Sequence, residues 1–350
     1  MAFAPCPYFF RVPHGVFLRE ATSVAVNSKD EVIVFNRGNM PVLIFSPAGE
    51  LVDMFGNPTP FAGTRAPPPE LVASGVARDG AGTPLPVFCG CCYSWAHSVR
   101  CDGEDNMWLV DVLGHRIHKV DRSGRTLLTL GSGQPCAPFS GELFNRPTDV
   151  AIHPRTGELF VTDGYRNARV HRLDAAGRHI QSWGTSGSDP GQFSLPHSID
   201  LLDEEHVIVC DRENHRVQVF TLEGGFVRQW PVHKATAVRV VGRGEATRVY
   251  VAEQGPSPVM AAARAPNLGQ RVGIYTREGA LLHRLGEPLP GEGPAQFLWP
   301  HSIAVDSKGC VFVAEVSYVE VRAERRRPPP LPAACLPSAP SLLLWGLCGA

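Results

Sequence analysis

The stretch Val209-Cys210-Asp211, followed by Arg216-Val217-Gln218-Val219-Phe220 and then Gly224, is a short β-type run closed by an acid, a second alternating run opened by a basic residue, and a glycine turn. Apolar and β-branched residues at this period read as strands. The first signal returns at Val34-Phe35-Asn36, Leu109-Val110-Asp111, Val161-Thr162-Asp163, Val251-Ala252-Glu253 and Val313-Ala314-Glu315. Second runs follow at Arg116-Ile117-His118-Lys119-Val120, Arg169-Val170-His171-Arg172-Leu173 and Arg271-Val272-Gly273-Ile274-Tyr275, and turns at Gly49, Gly124, Gly177 and Gly279. A period of roughly 40–50 residues made of strands is the signature of a β-propeller. Six copies predict six blades.

Composition agrees. With 35 Gly and 32 Pro in 350 residues, the chain suits a turn-rich all-β fold. A net charge of −1 with both signs interspersed offers no footprint for nucleic acid or an acidic membrane surface. Residues 1–10 lack a basic segment followed by a long apolar one, so no signal peptide is expected, and the compartment stays open. Cys101, Cys210 and Cys310 lie in or beside predicted strands and read as small hydrophobes. The Cys89-Gly90-Cys91-Cys92 cluster has no second pair at zinc-site spacing.

Aligning the copies on their acid exposes a second pattern. His97, His197 and His301 each stand 14 residues before Asp111, Asp211 and Glu315. In the other copies the corresponding place falls on Thr22, on Thr148 after Arg146-Pro147, and on Thr236, which stand 14, 15 and 17 residues before Asn36, Asp163 and Glu253, so the column alternates Thr and His. Alternate blades of a six-bladed ring lie about 120° apart, so three histidines at one height would meet around the axis. Three imidazoles converging with one position left open is the pattern of a catalytic zinc site. The blander reading has each histidine bonding within its own blade. Acid–base pairs such as Asp163 with Arg169 and Asp211 with Arg216 recur, and read as ties across a tight turn. Between Asp163 and Arg169 the loop is one residue longer than in the copies at Asp111 and Asp211. An extra residue there re-aims a side chain, and Tyr165 is the candidate. Packing against a neighbouring blade remains its alternative.

With Asn145-Arg146-Pro147-Thr148-Asp149-Val150, Asp163-Gly164-Tyr165, Gly191-Gln192-Phe193 and Pro196-His197-Ser198, the chain resembles the peptidyl-α-hydroxyglycine α-amidating lyases, bacterial-type members above all, built on NHL repeats. The resemblance runs from about Thr22 to Val316. It implies a six-bladed propeller with an axial zinc on His97, His197 and His301. The implied reaction is a carbon–nitrogen lyase cleavage of peptidyl-α-hydroxyglycine to a peptide amide and glyoxylate. By motif it makes Tyr165 the base on the substrate hydroxyl and puts Arg37, in Asn36-Arg37-Gly38, beside the substrate carboxylate. A peptide or small α-hydroxy amide is the implied substrate, and a monomer the expected state.

This chain also departs from the pattern. An acid follows the third histidine in the animal-type enzymes and serves a structural calcium; here Ser302 follows it, and a hydroxyl is a poor substitute. Ala96 precedes His97 where Pro is expected. The propeller is expected over 10–322, with a Pro/Gly/Cys-rich insertion at about 57–94 and the last blade short of strands. Residues 323–350, Arg/Pro-rich and then apolar, are expected to form a disordered tail. Its apolar end is too short for a membrane span. A non-catalytic NHL propeller that binds protein or peptide partners is the alternative function, and hydrolysis at a zinc site a third.

Overall fold

A computed structural model describes residues 3–6, 9–13, 16, 18–38, 40–58, 92–138, 140, 142–255, 269–287, 290–291, 293, 295–316 and 344–349. Five four-stranded antiparallel sheets, each of four consecutive strands, follow one another along the chain. Their innermost and second strands are Ala21–Val26 and Val32–Asn36, Ala96–Cys101 and Met107–Asp111, Pro147–Ile152 and Leu159–Asp163, Pro196–Leu201 and His206–Asp211, and Ala235–Val241 and Arg248–Glu253. These are blades one to five. A sixth sheet is composite. Pro300–Val305 and Val311–Glu315 are continued outward by Leu344–Gly349 and then by Phe3–Cys6. Residues 344–349 thus pair as a strand inside the stretch expected to be a tail.

The second strands are buried on both faces, Val32–Asn36, Met107–Asp111 and Leu159–Asp163 throughout. A strand that reads as continuous rather than alternating burial has a packed sheet on either side. The outermost strands, such as Thr126–Leu130 and Phe226–Pro231, are mostly exposed. Core clusters accordingly lie between blades; one joins Ile33, Phe35 and Val42 of blade one to Val99, Met107 and Leu109 of blade two. The turn glycines keep positive φ, Gly124 at 82° and Gly224 at 80°. Trp183 of blade three seats against Gly224 of blade four, where an added Cβ would lie 2.6 Å from the indole.

Neighbour contacts repeat around the ring. Ser28 in blade one bonds Asp105 of blade two at 2.8 and 2.6 Å, and Ser307 of the sixth sheet bonds Asp30 of blade one at 2.9 and 2.6 Å. The first and last sheets therefore meet as consecutive blades do. The insertion leaves blade one at Asn57–Pro58 and enters blade two at Cys92–Tyr93, the two short strands pairing in parallel; residues 59–91, with Cys89 and Cys91, lie outside the described residues. Cys210 and Cys310 are buried, as small strand hydrophobes should be. Among the described residues no helix is long and apolar enough to cross a membrane.

Candidate metal centre and cleft

Every innermost strand carries a β-bulge at the same place. The ladder slips between Ala21 and Ser23, Ala96 and Ser98, Pro147 and Asp149, Pro196 and Ser198, Ala235 and Ala237, and Pro300 and Ser302. The extra residues are Thr22, His97, Thr148, His197, Thr236 and His301, the whole Thr/His column. A bulge frees one residue from the ladder and turns its side chain, here towards the axis. Four positions earlier, Tyr93, Phe144, Phe193 and Phe297 are buried wedges that hold the entering loop. The recurrent acids pin that same loop. Asp111 accepts from the Ser94 and Trp95 N–H groups at 2.6 and 2.7 Å, Asp163 from Asn145 N–H at 2.9 Å, Asp211 from Ser194 N–H at 2.7 Å, and Glu315 from Leu298 and Trp299 N–H at 2.7 and 3.0 Å. The tie from Asp211 to Arg216 is present at 2.8 Å, whereas Asp163 meets Asn167 and His171.

The three histidines converge. Their ring centroids stand 4.8 Å apart in each pairing, and all three side chains are buried. Each Nδ1–H donates to a threonine carbonyl in the following blade: His97 to Thr148 at 2.6 Å, His197 to Thr236 at 2.6 Å and His301 to Thr22 at 2.7 Å. The threonines of the column are thus the partners that orient the histidines. Thr148 and Thr236 then donate onward to the Pro196 and Pro300 carbonyls at 2.9 and 2.8 Å, the residues just before the next two histidines. With Nδ1 protonated, each Nε2 keeps its lone pair. Burial foremost, then neighbouring cationic groups, keep the rings neutral. His97 and His197 are pushed well below the ordinary histidine pKa and His301 down to about 3. Ligand atoms on the three lie within 4.8 Å of one another, so together they could hold a metal ion.

Above them opens a cleft of about 450 Å³. Each sheet contributes to its lining the residue whose N–H bonds back across the bulge end of its blade, Arg37, Val112, Tyr165, Arg212, Gln254 and Val316, and Trp95, Leu113, Arg146, Trp299 and His301 complete it. In five blades this residue directly follows the acid or amide. In blade three the extra residue puts Gly164 there and hands the position to Tyr165. Gly164 is required, because a Cβ on it would stand 2.1 Å from the Pro196 carbonyl oxygen. The Tyr165 hydroxyl lies 3.1 Å from His97 Nε2 and 3.3 Å from His197 Nε2.

Arg37 lies in the cleft as well, its guanidinium 4.2 Å over the Trp95 ring, bonded to Glu20 at 2.6 Å and to the Ala96 carbonyl at 3.1 Å. Sequence reasoning missed Arg212. It is the blade-four counterpart of Arg37, its guanidinium 6.0 Å from the Tyr165 ring centroid and bonded to Glu213 at 2.8 Å. The alignment on the acid contains the signal, since both arginines occupy the position just after it.

Comparison with known proteins agrees with this architecture. The NHL repeat family matches residues 144–173 and 193–220. Peptidyl-glycine alpha-amidating monooxygenase B of Xenopus laevis is 34% identical over 231 residues, which cover 63% of this chain and 25% of that protein. Peptidyl-alpha-hydroxyglycine alpha-amidating lyase 1 of Drosophila melanogaster is 31% identical over 242 residues, 64% of this chain and 43% of that one. The chain therefore spans about a quarter of the length of the first relative and under half of the second. Virginiamycin B lyase from Staphylococcus aureus superposes with a TM-score of 0.54 at 13% identity, covering 90% of this chain and 97% of that one, a likeness of fold alone. The all-β propeller with NHL repeats and the resemblance to the amidating lyases are both borne out.

Proposed function

We propose that this chain is a zinc-dependent carbon–nitrogen lyase on a ring of six blades, cleaving peptidyl-α-hydroxyglycine to a peptide amide and glyoxylate. One observation carries the reading. Three neutral imidazole nitrogens and the Tyr165 hydroxyl meet at the floor of a cleft lined by Arg37 and Arg212.

The donor set fits zinc. Ligand atoms that all lie within 4.8 Å of one another are near enough for one ion to draw on all three, and three imidazoles with a fourth position open suit zinc. His97, His197 and His301 would hold the ion, with the Thr148, Thr236 and Thr22 carbonyls fixing their tautomers. When bound, zinc would supply a Lewis acid that makes the substrate hydroxyl more acidic.

The chain's own groups account for the rest. Tyr165, ionised, takes the hydroxyl proton as the C–N bond breaks. The bond's electron pair passes to the amide nitrogen, which gains a proton, so Tyr165 can return the one it took. Arg212 stands beside the Tyr165 ring, its guanidinium 6.0 Å from the centroid. Arg37, held by Glu20 and stacked on Trp95, presents a pre-oriented guanidinium to the substrate carboxylate.

Metal content and product analysis test this together. The purified protein should hold about one zinc per chain and release peptide amide and glyoxylate in equal amounts, with His97→Ala losing metal and products alike. A folded, zinc-loaded parent that binds the peptide but releases no glyoxylate would refute the lyase and favour a non-catalytic binding propeller.

A further inference from the structure

Past the histidines, one residue beyond each bulge, the axial channel is lined by a second layer: Ser23, Ser98, Asp149, Ser198, Ala237 and Ser302. The resemblance read from the sequence brings a structural calcium with it, and these residues do not fit one. Ser302 Oγ is 3.0 Å from Ser23 Oγ and accepts from Val24 N–H at 3.2 Å. The layer's single carboxylate, Asp149, is already taken.

What takes it is Arg100. Its Nε–H donates to Asp149 Oδ1 at 3.0 Å and its Nη2–H to Oδ2 at 2.5 Å, a two-pronged pairing. Nη2 also reaches Ser198 Oγ at 3.2 Å and the Ile199 and Val238 carbonyls at 3.0 and 3.3 Å. The Asp200 carboxylate stands 4.0 Å from Nη1. One side chain of blade two therefore binds blades three, four and five. From the sixth sheet through blade one to blade two the layer is joined without charge, since Ser302 meets Ser23 and Ser23 Oγ accepts from Val99 N–H of blade two at 3.0 Å. At the position of Arg100 the other blades carry Ala25, Ala151, Asp200, Arg239 and Ala304; Arg239 is partly exposed and meets Asp200 at 3.5 Å, whereas Arg100 is turned inward onto Asp149.

We infer that Arg100 is the built-in axial cation of this propeller: its guanidinium ties blades two to five as a bound calcium ion would, so the fold needs no calcium. The same group narrows the channel, leaving about 10 Å³ of space in this layer, the lower limit for one water. Burial by itself would lower the guanidinium pKa, but the Asp149 charge and hydrogen bonds outweigh it and the net shift is upward. The cation is thus permanent across the working pH range.

The inference does not depend on the lyase reading, and its test uses stability and metal content rather than turnover. Calcium is withheld by dialysis, because a chelator would also strip zinc. Adding about 5 mM calcium, above the weakest protein calcium affinities, should move the melting temperature of the parent by less than about 1 °C, and elemental analysis should find no stoichiometric calcium. Arg100→Met, which keeps the stem and strands a buried carboxylate, should melt roughly 5–10 °C lower. Arg100→Met/Asp149→Asn, with both charges gone, should recover much of that loss. Stoichiometric calcium in the parent, a rise of several degrees on adding it, or an Arg100→Met protein that melts with the parent would each overturn the inference. Should Arg100→Met fail to fold, the double variant decides: folded, it supports the pairing; unfolded, it overturns it.

Discussion

Tyr165→Phe removes one oxygen from the floor of the cleft and little else. The ring keeps its edge-on packing against His97 and His197, with centroids 5.5 and 5.9 Å away. The lost hydroxyl contacts, at 3.1 and 3.3 Å, are partly exposed hydrogen bonds worth about 1 kcal/mol of stability. Folding and zinc content should therefore stay at parental values. Turnover should not. A positioned acid–base group contributes about 10²–10⁴-fold, so kcat for glyoxylate release should fall by that factor, equivalent to roughly 3–5 kcal/mol of barrier. KM should change far less, because Arg37 remains to hold the substrate carboxylate. The assay is steady-state glyoxylate release, with the peptide amide measured in parallel and zinc determined on the same sample. A kcat within about threefold of the parent would refute the assignment of Tyr165 as the base. Loss of zinc together with activity would instead make the tyrosine part of the scaffold that holds the histidines.

Two further predictions follow from the geometry. Gly164→Ala would place a Cβ 2.1 Å from the Pro196 carbonyl oxygen, and Pro196 precedes His197, so the clash should reach the metal centre. A loss of about 1–3 kcal/mol by denaturant unfolding is expected, with lowered zinc occupancy; parental values for both would show that the loop relaxes freely. His233, stacked 4.7 Å from His215, has its pKa lowered to about 4 by burial and then by the neighbouring His215 and Lys234. Between about pH 6.5 and 4 the unfolded chain binds a proton there that the folded chain refuses, so the stability this site retains above pH 6.5 is lost as pH falls. In melting curves across that window His233→Gln should lose less stability than the parent. Parallel curves would remove His233 from the account.

Much of the centre was legible in the chain because a propeller is a repeat. One alignment on the acid brought His97, His197 and His301 into a column and exposed the extra residue before Tyr165. It did not reveal what the acid does. The carboxylates of Asp111 and Glu315 reach back to the loop entering their own blade, a contact between residues 16 apart in the chain. Arg212 follows Asp211 as Arg37 follows Asn36, and the bonding of the two N–H groups to the Leu195 and Glu20 carbonyls shows what that shared position does.

The sequence by itself determined the strand period, the alternation of Thr and His, and the place of each in its unit, since these follow from local side-chain pattern. Tertiary structure decided what the alternation is for. The threonine carbonyl that orients the histidine of the preceding blade and the Arg100–Asp149 pair beside the axis join residues 51 and 49 apart. Such contacts arise only when the ring closes, and no local pattern encodes them. The same holds for the sixth sheet, where Leu344–Gly349 and Phe3–Cys6 pair from opposite ends of the chain. Their sequences carry no repeat signal, and an unpaired edge is satisfied by whichever strand the closed ring brings alongside.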